Sequence, residues 1–195
     1  MRICFVGDSM VNGTGDPEYL GWVGRVLRDE RKRRAELTGY NLGIRRDTSA
    51  QIRARWSAEV TCRLPAEFES RVVFSFGVND SAQQVDPAHT LANAEAILSD
   101  AKARWPIFMI GPFPVSNEET LARSVSLDKA LAQLCGWLGV PYLSVFDGLR
   151  ETPVWLDEAR AGDGAHPGAG GYTRMAELVL ASGAWRRWMA PNSLV

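Results

Sequence analysis

Short runs of β-branched and aromatic residues alternate along this chain with longer stretches of helical character, and that alternation restricts the fold more than any other feature. The runs at residues 3–6, 40–42, 72–76, 107–110 and 142–145 read as strands. Between and after them, residues 22–34, 50–62, 87–105, 121–138 and 171–180 read as helices. Parallel strands joined by helical crossovers need helices on both faces. The expected architecture is therefore an α/β fold: a three-layer α/β/α sandwich around a five-stranded parallel sheet. No linker, repeat or low-complexity stretch divides the chain, so residues 1–195 are expected to form one domain, long enough to bury a core without disulfides or a structural metal. In an open parallel sheet the functional crevice lies beyond the carboxyl ends of the strands. The residues that follow each run are therefore the ones to read for chemistry.

Directly after the first run stands Gly7-Asp8-Ser9. A serine hydroxyl is a weak nucleophile until an imidazole takes its proton, and the imidazole needs an acceptor on its other nitrogen to fix its tautomer. The chain has two histidines. His89 follows Asp86-Pro87 at an expected helix start, a surface position. His166 sits in Asp163-Gly164-Ala165-His166-Pro167, with a carboxylate three residues before the imidazole. Taken singly, Ser9 and Asp163 suit helix caps. Together with His166 they read as nucleophile, base and orienting acid.

Two further segments fit that reading, Asn41-Leu42-Gly43 and Gly77-Val78-Asn79-Asp80, the second just beyond the run at 72–76. Attack on an ester carbonyl builds negative charge on its oxygen, and preorganised donors aimed at that oxygen are usually the largest catalytic contribution. The Ser9 N–H, the Gly43 N–H and the Asn79 side-chain amide are the expected donors. Asp8 and Asp80 are read as supports that hold the turns around Ser9 and Asn79 through hydrogen bonds to backbone.

Four blocks in this order, centred on Ser9, Gly43, Asn79 and His166, resemble the SGNH (GDSL-type) hydrolase superfamily of esterases, lipases and acetylesterases. The resemblance spans almost the whole chain. It implies a flavodoxin-like sandwich and a serine esterase working through an acyl-Ser9 intermediate, with Gly and Asn as oxyanion donors and the Asp–His pair of the fourth block as acid and base. It implies no cofactor and a small-molecule ester as substrate, with short acyl or acetyl esters foremost. Lysophospholipids, thioesters and acetylated sugars are also within its range. Acyl transfer, and a non-catalytic binding role on the same fold, are the alternatives. Two positions depart from the pattern: Met10 stands in place of the usual Leu, a swap of similar volume, and Arg46 stands where a Gly often follows the second block's Gly. Arg46 puts a permanent charge near the substrate entrance. Trp155, in a segment at 146–162 expected to be irregular, is the candidate for a substrate wall.

The bulk numbers exclude several functions. With 22 Lys+Arg against 23 Asp+Glu the net charge is −1, so no global field draws nucleic acid or an anionic membrane. No apolar stretch approaches the roughly 20 residues that cross a bilayer. The three cysteines, Cys4, Cys62 and Cys135, are widely spaced and suggest neither a disulfide framework nor a metal site, so they are expected as reduced core residues. Gly13-Thr14-Gly15 lacks the third glycine of a dinucleotide loop. Because the chain opens straight into a strand, no leader is read and a cytoplasmic location is expected. Oligomeric state is left open, with Trp185, Trp188 and Met189 free to pack on the body or on a partner.

Overall fold

A computed structural model describes residues 1–190. Its strands are β1 (Arg2–Gly7), β2 (Thr38–Gly43), β3 (Ser70–Ser75), β4 (Ile107–Ile110) and β5 (Tyr142–Leu143). All pair in parallel, in the order β2-β1-β3-β4-β5, as the alternation of runs requires. The chain places β2 on one side of β1 and the remaining strands on the other. Crossovers leave in opposite directions at that point, which opens a crevice at the carboxyl ends of β1 and β3.

The helices are α1 (Ser9–Asn12), α2 (Gly21–Arg33), α3 (Ser49–Thr61), α4 (Val78–Ala82), α5 (Pro87–Lys102), α6 (Glu118–Leu138), α7 (Phe146–Arg150), α8 (Pro153–Ala161), α9 (Ala169–Ala181) and α10 (Gly183–Met189). They divide between two cores because side chains alternate across a strand. Ile3 and Phe5 of β1 enter one core with Trp22, Met175, Tyr172 and Trp185. Cys4 and Val6 enter the other with Ile52, Trp56, Ile97 and Leu131. Both sheet faces are thus apolar, which is why the strands read as unbroken hydrophobic runs. The long helices start at cap residues: Asp86 accepts the Ala88 N–H at 2.9 Å before Pro87 opens α5, and Asn117 accepts the Thr120 N–H at 2.9 Å at the head of α6.

Three expectations are corrected. Residues 146–162 are not irregular, since α7 and α8 occupy most of the segment and Pro153 opens α8 instead of breaking it. Trp155 consequently lines no cleft. It is fully buried, stacks on Phe113 with ring centroids 5.7 Å apart, and donates its Nε1–H to the Pro114 carbonyl at 2.9 Å. Cys62 is exposed, whereas Cys4 and Cys135 are buried, and all three are free thiols. Trp185, Trp188 and Met189 lie in α10 and pack inward, with Trp185 and Trp188 both 5.4 Å from the Phe108 ring. Among the described residues no helix is long and apolar enough to cross a membrane.

Because Trp155 fills core volume and carries a satisfied buried donor, Trp155→Ala is expected to cost about 3–5 kcal/mol of stability, read by denaturant unfolding. Acyl-chain preference should be unchanged in the fraction that folds.

Candidate active site

The site begins with a sharp turn out of β1. Gly7 ends that strand so close to β3 that a Cβ there would lie 2.1 Å from the Ser75 carbonyl oxygen and 2.4 Å from a Val11 methyl. Only glycine lets the chain pass at that distance. Asp8 then caps α1, accepting the Met10 N–H at 2.9 Å, and Ser9 is the first residue of the helix. Ser9 is 3% exposed, so its hydroxyl faces the crevice without being bathed in solvent.

Across the crevice the turn at 163–167 presents His166. Its Nε2 lies 2.7 Å from Ser9 Oγ, and its Nδ1 lies 2.7 Å from Asp163 Oδ2. The other Asp163 oxygen accepts the backbone N–H groups of Ala165 at 3.1 Å and His166 at 2.9 Å. Partial burial alone would raise the Asp163 carboxyl, but the hydrogen bonds from the His166 backbone, the imidazole and Ala165 outweigh it and hold the group at about 2. Asp163 is therefore ionised at any ordinary pH and can only accept. That requires the proton on Nδ1 and leaves Nε2 with a lone pair aimed at the serine hydroxyl. The turn is held by Ser116, whose N–H and hydroxyl both donate to the Gly164 carbonyl, at 3.0 and 2.6 Å.

The predicted donors divide. Asn79, second residue of α4, lines the cavity beside Ser9 and gives one amide hydrogen to the Asp47 carbonyl at 3.0 Å, leaving the other for a ligand. The Gly43 N–H is already engaged. Asn41 Oδ1 accepts it at 3.0 Å, and a Cβ on Gly43 would fall 2.2 Å from the Asn12 nitrogen, so the residue is packed against α1 and away from the cavity. Arg46 stands in a left-handed conformation with φ 73°, and its N–H and that of Ser9 make no hydrogen bond among the described residues. The Arg46 carbonyl accepts from Gln83 at 3.4 Å and its neighbour Asp47 accepts from Asn79, which sets this loop alongside α4. The Arg46 guanidinium is exposed, forms no ion pair among the described residues and does not line the cavity.

The supporting carboxylates act over longer distances than the sequence suggests. Asp80 does not bond its own turn. It accepts the Ser49 N–H at 2.9 Å, the Ser49 hydroxyl at 2.5 Å and the Thr90 hydroxyl at 3.1 Å, tying α4 to the starts of α3 and α5. Arg55, which sequence reasoning missed, donates to the Gly7 carbonyl at 2.8 Å, the Leu42 carbonyl at 3.0 Å and Asp47 Oδ2 at 2.6 Å. One guanidinium thus joins the ends of β1 and β2 to the Arg46 loop. Nothing local distinguishes this arginine from its neighbours on α3; only its position over two strand ends does.

The cavity holding Ser9, Asn79 and His166 measures about 210 Å³ and is closed by Val78, Ala82, Val115 and Thr120. The loop at 111–114 lies outside it, with Phe113 in the core.

The model of the GDSL-like lipase/acylhydrolase family matches residues 5–174. No curated protein matches in sequence. Among solved structures, a member of the lipolytic G-D-S-L family from Veillonella parvula superposes with a TM-score of 0.78 at 16% identity, covering 92% of this chain and 96% of that one. A catalytic mutant of an acetylxylan esterase from Geobacillus stearothermophilus gives 0.77 at 20% identity, covering 92% of each chain. An α/β hydrolase from the metagenome of Lake Arreo gives 0.78 at 19% identity, covering 97% and 96%.

Asp8 is fully buried with Oδ2 unpartnered, and burial, reinforced by the charges of Asp80 and Asp47, outweighs the Met10 hydrogen bond and raises its pKa from 3.8 to about 7. The folded state then binds a proton that the unfolded state has lost, so this group's contribution to stability falls as pH rises from about 4 to about 7. Asp8→Asn, which keeps a capping oxygen, is expected to gain stability relative to the parent on going from pH 5 to pH 8, with unfolding midpoints at the two pH values as the measurement.

Proposed function

The chain belongs to the GDSL-like lipase/acylhydrolase family of ester-bond hydrolases, and we propose that it is a serine esterase for short acyl esters, with Ser9 as nucleophile, His166 as general base and acid, and Asp163 as the orienting carboxylate. The observation that carries this reading is the continuous hydrogen-bonded line from Ser9 Oγ through His166 to Asp163, with both links at 2.7 Å.

In this mechanism the Ser9 oxygen attacks the ester carbonyl as its proton passes to His166 Nε2. The imidazolium is stabilised by ionised Asp163. Charge arriving on the carbonyl oxygen is met by the Ser9 N–H and the free Asn79 amide hydrogen, and the Arg46 N–H takes the place expected of Gly43 as third donor. Support for Arg46 comes from its unpaired N–H, its position beside α4, and the occupation of the Gly43 N–H by Asn41. The tetrahedral adduct collapses as His166 gives its proton to the leaving oxygen. Water, deprotonated by the same nitrogen, then releases the acid from Ser9. A cavity of about 210 Å³ is smaller than the roughly 300 Å³ at which pockets begin to take drug-sized ligands, which favours acetyl and other short acyl groups over lipid chains.

Hydrolysis of nitrophenyl esters of increasing acyl length tests this directly. Ser9→Ala is expected to fold normally and lose at least about 10³-fold in kcat, and rates should fall beyond the shortest chains. Asn79→Ala should cost about 10²–10³-fold in kcat. Arg46→Gly keeps the N–H and relaxes a positive φ, so it should retain turnover and gain up to about 1 kcal/mol in stability. Equal turnover by Ser9→Ala would defeat the proposal.

A further inference from the structure

Asp163 has a second partner, brought from another loop. Arg45 Nη2 lies 3.4 Å from Asp163 Oδ2, the same oxygen that takes the His166 Nδ1–H at 2.7 Å. The two residues are 118 positions apart. Arg45 precedes Arg46 and Asp47, whose carbonyls accept from Gln83 and Asn79 of α4. The ion pair is the only polar contact of the Arg45 guanidinium among the described residues. Arg45 is 59% and Asp163 46% exposed, so water screens the pair and its effect on the stability of the fold is small. Arg45 does not line the cavity that holds Ser9, and its substitution therefore reaches the chemistry through Asp163.

The carboxylate does not need Arg45 to hold it in place. Its Oδ1 accepts the Ala165 and His166 N–H groups of its own turn, and Ser116 donates twice to the Gly164 carbonyl. What Arg45 adds is charge. An ionised Asp163 favours the imidazolium, which forms when His166 takes the Ser9 proton and equally when it binds one from water. The guanidinium, charged at every pH, opposes that positive charge in two ways: it neutralises part of the carboxylate's field, and it repels the imidazolium directly. Both effects have one sign, and both keep His166 free to act as a base at lower pH. The other titratable groups around the pair are Asp8 from the turn out of β1, Asp16 from the loop after α1, Glu158 from α8 and Tyr172 from α9. Asp16 is paired with Arg25, and Glu158 accepts three N–H groups at the start of α9. Tyr172 donates its hydroxyl to the Thr14 carbonyl at 2.8 Å and is kept neutral by burial and by the charges of Asp8, Asp16 and Asp163. On the Arg45 loop itself, Asp47 is paired with Arg55, and Arg46 keeps its charge throughout. Of all these, only Asp8, raised to about 7, changes charge in the range where a histidine base titrates.

Resting on the esterase reading, we propose that Arg45 is a positioning residue that acts on His166 through Asp163: by sharing Oδ2 with the imidazole it limits the carboxylate's pull on the imidazolium and extends activity to lower pH. Because the pair is half exposed, the effect is a moderate one, about two- to fivefold in the proton affinity of the base.

Two measurements test this role. The first is the pH profile of kcat/KM for nitrophenyl acetate, taken in Asp8→Asn so that the one other group titrating in range is gone, with and without a change at Arg45. The pH of half-maximal rate should rise by about 0.3 to 0.7 in Arg45→Met, stay within about 0.2 of its starting value in Arg45→Lys, and rise further in Arg45→Glu. A midpoint does not depend on the height of the plateau, so a looser turn or a smaller folded fraction does not imitate the shift. The second needs no turnover. NMR titration of the imidazoles in Ser9→Ala, on the same background, follows the two histidines of the chain, and the midpoint of His166 should move in the same order while that of His89 stays fixed. Equal midpoints with and without Arg45→Met, or a shift as large in Arg45→Lys, would overturn the proposal. An imidazole shift in a protein that cleaves no ester would overturn the esterase reading and leave the coupling to Arg45 in place. Ester cleavage with unmoved midpoints would do the reverse.

Discussion

The hydrogen bond between Ser9 Oγ and His166 Nε2 joins residues 157 positions apart, and the rest of the structure can be read as the means of holding it at 2.7 Å. Neither partner reaches the other by local geometry. Ser9 is fixed by the turn out of β1, while His166 sits on a turn with no strand beneath it. That turn is gripped from several sides: Ser116 holds the Gly164 carbonyl, Gly15 packs on the His166 Cβ, and Glu158 of α8 accepts the N–H groups of Gly168, Gly170 and Gly171 at 2.9, 3.1 and 2.7 Å. The last contact satisfies orphan donors at the start of α9 and places negative charge at a helix N-terminus, where it is favoured. A hydrogen bond between segments so far apart in the chain needs such over-determination, because nothing local holds its two ends in reach of one another.

The electrostatics follow the same division of labour. Charged groups around the site spend their hydrogen-bonding capacity on backbone, with Arg55 on two strand ends and Asp80 on the start of α3. Buried charges so engaged are costly to remove and act as rigid fasteners. Asp8 is the exception. It is buried beside Ser9 with one oxygen unpartnered among the described residues, and it has Asp47 and Asp80 as electrostatic neighbours, so burial pushes its pKa up to about 7. Asp163, with two N–H groups and an imidazole on it, is pulled the other way. Two carboxylates of one site, Asp8 adjoining Ser9 and Asp163 behind His166, therefore differ by environment alone.

Much of this was legible in the chain because the signals are local. Short unbroken apolar runs mark strands buried on both faces, and the segment after a strand in such a fold faces the crevice, so Ser9 and Asn79 could be read directly. Asp163 and His166, three residues apart, are neighbours in any tight turn. Trp155 misled because proline and polar neighbours imitate a loop, when Pro153 in fact opens a helix that turns the indole inward. Gly43 differs from its reading in another way: its backbone N–H is open in principle, and it is the Asn41 side chain and the closeness of α1 that engage it. Arg55 left no signal at all.

What the sequence determined by itself was the class of fold and which serine, histidine and aspartate to look for together, because both follow from patterns a few residues long and from the intrinsic chemistry of side chains. Tertiary structure alone decided which backbone N–H groups remain unpaired at the crevice among the described residues, which arginine fastens the strand ends, and how small the cavity beside Ser9 is. Those properties depend on contacts between segments far apart in the chain. No local pattern records whether a donor is already taken or a side chain is already packed.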